Sequence, residues 1–171
     1  FNLNFLLKHV ESGGQVLLVT SSIGGEGKTF TAINLASVIA LSGKKTCLVG
    51  LDLRKPKIFN DFGLSNDKGI STFLSSTGDT IENILQYSGK ENLDVISAGP
   101  VPPNPSELLE NKAFADLLTK LRTMYDYIVL DTPPMGLVAD SLQIIPQVDG
   151  TLYVSRFNYT QKELLGFVNQ Q

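Results

Sequence analysis

The chain has 171 residues with Lys+Arg 14 against Asp+Glu 17, a net charge of −3, and only 18% charged residues. That low charge beside 42% apolar residues excludes a disordered chain, and the acidic balance argues against a nucleic-acid coat or a basic membrane-binding face. A lone cysteine, Cys47, and a lone histidine, His9, rule out an internal disulfide and leave no basis for a zinc site.

Phe1, Leu3, Leu6 and Leu7 fall at helical spacing, so the chain is expected to open inside a helix. Gln15–Thr20 (QVLLVT) then reads as a strand apolar on both faces, as parallel strands covered by helices must be. Directly after it comes Ser21-Ser22-Ile23-Gly24-Gly25-Glu26-Gly27-Lys28-Thr29, leading into a helix over Lys28–Leu41. Glycines here let successive backbone N–H groups converge on phosphate oxygens. The helix N-terminus adds roughly half a positive charge at the same point. Lys28 is expected to reach the β- and γ-phosphates, and the Thr29 hydroxyl to ligate Mg²⁺. The strict GxxxxGK[ST] pattern wants glycine where this chain has Ser22, so the match is to a variant. Gly24, Gly25, Glu26, Gly27, Lys28, Thr29 and Phe30 are the expected nucleotide contacts. The 15 uncharged residues between Lys28 and Lys44 are too few and too polar to span a bilayer.

Lys45–Gly50 is the second expected strand, followed by Asp52 in Leu51-Asp52-Leu53-Arg54-Lys55-Pro56. The second strand of such a sheet lies close to the cradle, so Asp52 is expected to face the γ-phosphate; the alternative is a surface acid paired with Arg54 or Lys55. Between Pro56 and Lys90 the chain turns polar, with short helices expected at Ile70–Leu74 and Ile81–Gln86. Leu93–Ser97 is the third strand, and Pro100, Pro102, Pro103 and Pro105 force an extended loop before a helix over Ser106–Arg122. In the fourth strand, Asp126–Asp131, four apolar residues close in an acid. That is the Walker B arrangement, which sets Asp131 at the carboxyl edge beside the cradle to hold the metal. A helix near Asp140–Pro146, a strand at Gly150–Ser155 and a helix from Thr160 onward complete the reading. Both ends read as cut, and nothing resembles a signal peptide. The expectation is a soluble, cytoplasmic α/β fold: a parallel sheet of the P-loop NTPase type with helices on both faces, in three α/β/α layers. Residues 1–171 are expected to form one domain, truncated at both ends.

Together these residues resemble the bacterial tyrosine kinases, the cytoplasmic half of capsular and exopolysaccharide co-polymerases. The resemblance starts at Asn2-Leu3-x-Phe5 and takes in Ser21-Ser22 and Gly25–Thr29, then Asp52-Leu53-Arg54-Lys55-Pro56 of the Walker A′ segment. Its most specific part is Ala98-Gly99-Pro100-Val101-Pro102-Pro103-Asn104-Pro105-Ser106-Glu107-Leu108-Leu109. It continues through Tyr125-Asp126-Tyr127, Asp131-Thr132-Pro133-Pro134, Val138-Ala139-Asp140 and Asp149-Gly150 to Val154-Ser155-Arg156 with Thr160. The resemblance implies an ATP- and Mg²⁺-dependent transfer of the γ-phosphoryl group to tyrosine, with Lys28, Asp52 and Asp131 as catalytic residues and Thr29, Asp52 and Asp131 at the metal. Asp52 is the candidate to accept or orient the tyrosine proton, while Arg54 and Lys55 suit phosphate or an acidic tail. Arg156 and Asp140 are candidates to support the cradle, with a surface role as the equal alternative.

Three departures from the family are visible. Gly50 stands where Walker A′ usually has its first acid. The family's ring-forming Glu-x-x-Arg-x-x-Arg helix and its C-terminal tyrosine cluster are both absent from this sequence. Tyr87, Tyr125, Tyr127, Tyr153 and Tyr159 are scattered and read as core or boundary residues. Implied partners are ATP, a transmembrane chain-length-determinant domain, further copies of the protein, a tyrosine-rich acceptor tail and a cognate phosphatase, with no nucleic acid. In full length the protein is expected at the cytoplasmic face of the bacterial inner membrane. Two alternatives stand beside this reading: a Min/Par-like ATPase switch, whose signature lysine is Ile23 here, and a non-catalytic ATP-binding regulatory module.

Overall fold

A computed structural model describes residues 13–76, 79–110, 112–135 and 144–165. The elements are β1 (Gln15–Ser21), α1 (Lys28–Leu41), β2 (Thr46–Gly50), α2 (Ile58–Phe62), α3 (Ile70–Ser75), α4 (Ile81–Ile84), β3 (Leu85–Lys90) and β4 (Leu93–Ile96). They continue with α5 (Pro105–Glu110), α6 (Lys112–Met124), β5 (Tyr127–Asp131), a 3-10 turn (Ile145–Gln147), β6 (Gly150–Val154) and α7 (Lys162–Leu165). Among the described residues the strands form one sheet in the order β3-β4-β2-β5-β1-β6. Every pairing is parallel except β3 with β4.

The two faces of the sheet carry separate cores. On one, α1 buries Ala32, Leu35, Ala36, Ile39 and Ala40, the spacing of a single helical stripe, against Leu17, Val19, Leu48, Tyr127 and Val129. On the other, α3 to α6 cover Val16, Leu18, Cys47, Val49, Ile128 and Leu130. Neighbours along β1 thus point into different cores, which is why the strand reads apolar on both faces. The expected three-layer parallel fold is the observed one.

Order within the sheet matters for function. β1 and β2 do not touch; β5 lies between them, pairing Val19 and Gly50 with Asp131. The chain leaves β1, crosses through α1 and returns beyond β5. The carboxyl ends of β1, β5 and β2 therefore stand side by side, where ligands bind in open α/β sheets.

Four expectations need correction or fall out of view. The helix expected over Ser106–Arg122 is two helices, α5 and α6, with Pro105 at the first position, where a missing N–H costs nothing. Both helices bury into the same core, α5 through Leu108 and Leu109, α6 through Phe114, Leu117, Leu118 and Leu121. The helix expected over Ile81–Gln86 is one turn, after which β3 runs back along β4 through a hairpin with Asn92 at φ 59°. The helix near Asp140–Pro146 lies mostly outside the described residues, where only the 3-10 turn is seen, and the opening helix at Phe1–Leu7 lies outside them too. No described helix is long and apolar enough to cross a membrane.

Candidate functional site

The turn from β1 into α1 is built around two left-handed glycines, Gly25 at φ 89° and Gly27 at φ 93°. Gly27 caps α1 with no side-chain hydrogen bond and no acid in the first helical turn, so the helix N-terminus keeps its positive end for a ligand. Thr31 folds back on the Gly27 carbonyl through both its N–H and its hydroxyl, each at 2.9 Å.

Lys28 is the centre of the site. Its chain is buried, and its ammonium donates to Asp131 Oδ1 at 3.1 Å and to Thr29 Oγ1 at 3.4 Å, with Asp52 Oδ2 at 3.8 Å. The Thr29 hydroxyl donates to the other Asp131 oxygen at 2.9 Å. Both Asp131 oxygens are therefore engaged, as a carboxylate that is 2% exposed requires. Burial pushes its pKa up, and Lys28 and Thr29 partly offset that. Asp52 is more open: its side chain is 18% exposed, and its Oδ1 accepts the Lys55 N–H at 3.0 Å. The Leu51 N–H donates to the Asp131 carbonyl at 2.8 Å and pins the segment carrying Asp52 to the end of β5. The structure thus brings Lys28, Thr29, Asp52 and Asp131 together at the ends of three adjacent elements.

Above them opens a cleft of about 520 Å³, within the usual range for small-molecule sites. Its walls include Gly24, Gly25, Gly27, Lys28, Thr29 and Phe30 on one side, and Asp52, Arg54, Lys55 and Lys57 on the other. Four cations thus line it against one carboxylate, on a chain whose net charge is −3. A local positive field of that kind suits a polyanion. Lys57 is an addition that the sequence offered no motif for. Phe30 is 73% exposed beside the cleft. Arg54 reaches Ser106 Oγ at 3.0 Å, so the proline-rich segment abuts this rim.

Glu26 behaves differently from its neighbours in the turn. It is 5% exposed, with one oxygen accepting the Ile23 N–H at 2.8 Å and the other accepting the Thr160 hydroxyl. Its side chain braces the turn and leaves only its backbone for a ligand. Ser22, at the position of the consensus glycine, shares a 2.5 Å hydrogen bond with the Tyr153 hydroxyl. Arg156 donates to the Gly25 carbonyl at 3.2 Å, and the Tyr159 hydroxyl donates to the Gly24 carbonyl at 2.9 Å. Tyr153 and Tyr159 read as core or boundary residues in sequence, yet both hold the cradle; the Val154-Ser155-Arg156…Thr160 motif was the signal that could have found them. Asp140 lies outside the described residues.

Gly50 is buried against β4: a Cβ there would stand 3.2 Å from the Ala98 amide nitrogen and 3.5 Å from Ile58 Cδ1. A side chain at 50 would therefore be tight against the backbone at Ala98 from its first carbon.

A family model described as an AAA domain matches residues 14–145. The tyrosine-protein kinase CpsD of Streptococcus pneumoniae serotype 4 is 37% identical over 173 residues, spanning 98% of this chain and 75% of that protein. The chain belongs to the bacterial tyrosine kinase family. Tyrosine-protein kinase YwqD of Bacillus subtilis is 42% identical over 148 residues, 86% of this chain and 62% of that protein. This member of the bacterial tyrosine kinases thus spans about three fifths of YwqD. The kinase domain of the Escherichia coli tyrosine kinase Etk superposes with a TM-score of 0.90 at 36% identity, over 98% of this chain and 65% of that one. The septum-site-determining protein MinD of Pyrococcus horikoshii, solved with Mg-ADP, has a TM-score of 0.74 at 18% identity, over 92% of this chain and 65% of that one. MinD shares the fold of this tyrosine kinase family member, and the likeness carries no more than that.

Proposed function

We propose that this chain binds ATP with Mg²⁺ in the cleft and transfers the γ-phosphoryl group to a tyrosine hydroxyl, as the single kinase domain of an autokinase that regulates capsular or exopolysaccharide synthesis and export. The observation that carries this reading is the buried Lys28 ammonium between Asp131 and Asp52, beneath a helix N-terminus free of acid. Phosphoryl transfer is mostly positioning and neutralisation of charge, and those are the two services that this arrangement offers. Lys28 and the amides from Gly24 to Thr29 offset the charge of a triphosphate.

The donor set suits magnesium. The described residues contain no cluster of three or more His, Cys, Asp or Glu, the soft or all-protein cage that other metals favour. What stands here instead is a threonine hydroxyl bonded to a carboxylate, with a second carboxylate close by. Mg²⁺ is held by such sparse oxygen sets completed by water and phosphate oxygens. Thr29, Asp131 and Asp52 would hold it, and when bound it supplies charge neutralisation at the transferring oxygens.

The two acids divide the remaining work by exposure. Asp131, closed in by Lys28 and Thr29, orients those two groups. Asp52, open to the cleft, accepts or orients the proton of the incoming tyrosine, whose free pKa near 10 makes an acceptor useful. Arg54, Lys55 and Lys57 favour an acidic stretch around that tyrosine. The acceptor on this reading is a tyrosine-rich tail, and the partners are further copies of the protein, a transmembrane chain-length-determinant domain in cis or in trans, and a cognate tyrosine phosphatase. Its place is the cytoplasmic face of the bacterial inner membrane.

The test is incubation with γ-labelled ATP, Mg²⁺ and a tyrosine-rich peptide. Labelled peptide is expected with the parent protein and background label with Lys28→Met. Free labelled phosphate without labelled peptide would point to an ATPase switch. Nucleotide binding by calorimetry with neither product would make the chain a regulatory module.

A further inference from the structure

Four consecutive contacts run between the cradle and one later stretch of chain: Ser22 to Tyr153, Gly24 to Tyr159, Gly25 to Arg156 and Glu26 to Thr160. The last three partners sit in a tight turn of their own. Tyr159 and Thr160 donate their N–H groups to the Arg156 carbonyl at 3.1 and 2.9 Å, and Asn158 takes the left-handed conformation at φ 57°. The Thr160 hydroxyl accepts the Arg156 N–H at 2.7 Å and donates to Glu26, so it is used in both directions. The Arg156 guanidinium lies 5.1 Å from the centre of the Tyr159 ring, which holds both side chains against the glycines.

We infer that Tyr153, Arg156, Tyr159 and Thr160 form a clasp that sets the shape of the cradle and thereby its affinity for nucleotide. A glycine-rich turn loses more freedom on ordering than any other segment. A ligand that must order the turn itself pays that entropy out of its own binding, whereas a turn already held binds tighter for the same contacts. The clasp ties carbonyls and side chains of residues 22–26, so it competes for no N–H of Gly24, Gly25 or Gly27. Those donors stay available to phosphate. The clasp also approaches Gly25 closely: a Cβ there would stand 2.8 Å from the Tyr159 hydroxyl, so a side chain at 25 would displace Tyr159. These four are positioning residues, acting through Glu26 and the cradle backbone.

The inference rests on the nucleotide reading above, and its test separates the two. Mant-ADP binding with Mg²⁺ is measured by fluorescence for the parent, Thr160→Val, Thr160→Ser and Tyr159→Phe. Thr160→Val removes a hydrogen bond to a charged acceptor and is expected to weaken binding about tenfold, while Thr160→Ser stays within about twofold of the parent. Tyr159→Phe, at a partly exposed ring that the fold does not need, is expected to weaken it about threefold. In the kinase assay the KM for ATP should rise with kcat and the KM for peptide unmoved. Hydrogen exchange of the amides at 23–27 in nucleotide-free protein should quicken in Thr160→Val and not in Thr160→Ser. Parent-like affinity and exchange in both Thr160→Val and Tyr159→Phe would overturn the clasp, as would equal losses in Thr160→Val and Thr160→Ser. A parent protein that binds no mant-ADP would instead overturn the nucleotide reading, and the exchange comparison would still decide whether residues 153–160 order the cradle.

Discussion

Lys28, Asp131 and Asp52 show how three charges share a small space by unequal burial. Asp131 is closed over by Lys28 and Thr29, whereas Asp52 meets the same ammonium at 3.8 Å and keeps an open flank. Asp52→Asn is therefore expected to keep the nucleotide affinity within about twofold and to lower phosphotransfer by about 100-fold, the usual worth of a positioned base. Rates at saturating Mg²⁺ and ATP check this, and unchanged turnover would make Asp52 a structural acid only. Gly50 tells the opposite story. Restoring the family's acid with Gly50→Asp would press a Cβ to 3.2 Å from the Ala98 amide nitrogen, and it is expected to lower stability by about 1–3 kcal/mol without raising activity. A melting curve and the peptide assay on one preparation read both. Lys28, Thr29 and Asp131 were legible in sequence because their chemistry fixes their spacing from a strand end. Lys57, Tyr153 and Tyr159 were not, since a lysine or a tyrosine has many uses and only folding brings Lys57 to the cleft and the two tyrosines to the cradle.

At the scale of elements, legibility followed burial. β1, β2, β5 and α1 were plain because both faces of each strand and one stripe of the helix are apolar. β3 was hidden because it is an antiparallel edge strand with one wet face, so Leu85–Lys90 carries no apolar run. The division of α5 from α6 left no mark in the apolar pattern, because Leu108 and Leu109 of one and Phe114, Leu117, Leu118 and Leu121 of the other enter the same core. The turn before β6 depends on Arg122 of α6, whose guanidinium donates to the Gly14 carbonyl at 2.7 Å, the Gln147 carbonyl at 3.0 Å and Asp149 Oδ2 at 2.6 Å. Asp149 in turn accepts the Val16 N–H at 2.7 Å. Arg122→Ala removes the guanidinium from three acceptors, of which Asp149 keeps the Val16 N–H, and is expected to cost about 1–3 kcal/mol, read as a shift in the urea midpoint with an unchanged slope.

For the whole molecule, the central position of Cys47 predicts how the fold responds to pH. The thiol is fully buried on β2, and burial, reinforced by Asp94, raises its pKa far above that of a free cysteine. Above about pH 8.5 the unfolded chain gives up this proton and the folded chain keeps it. The stability contributed by the neutral thiol is complete below that pH and is lost as pH rises, by up to about 1.4 kcal/mol per pH unit. Urea unfolding at about pH 7.5 and about pH 9.5 should show the decline, and Cys47→Ala, though less stable throughout, should show a shallower one. In native protein at neutral pH the thiol should stay closed to alkylating reagents and react only on unfolding.

The distance along the chain between the cradle and Thr160 bears on how the protein is made. Strand β1 and the glycine turn are synthesised before the residues they meet, and Ser22, Gly24, Gly25 and Glu26 find their partners only after some 130 further residues have been added. Once β5 has entered between β1 and β2, these strands and α1 can assemble before the phosphate turn has anything to close on. The pocket is therefore among the last features to mature, and a chain interrupted before β6 carries every motif of the site without its final form.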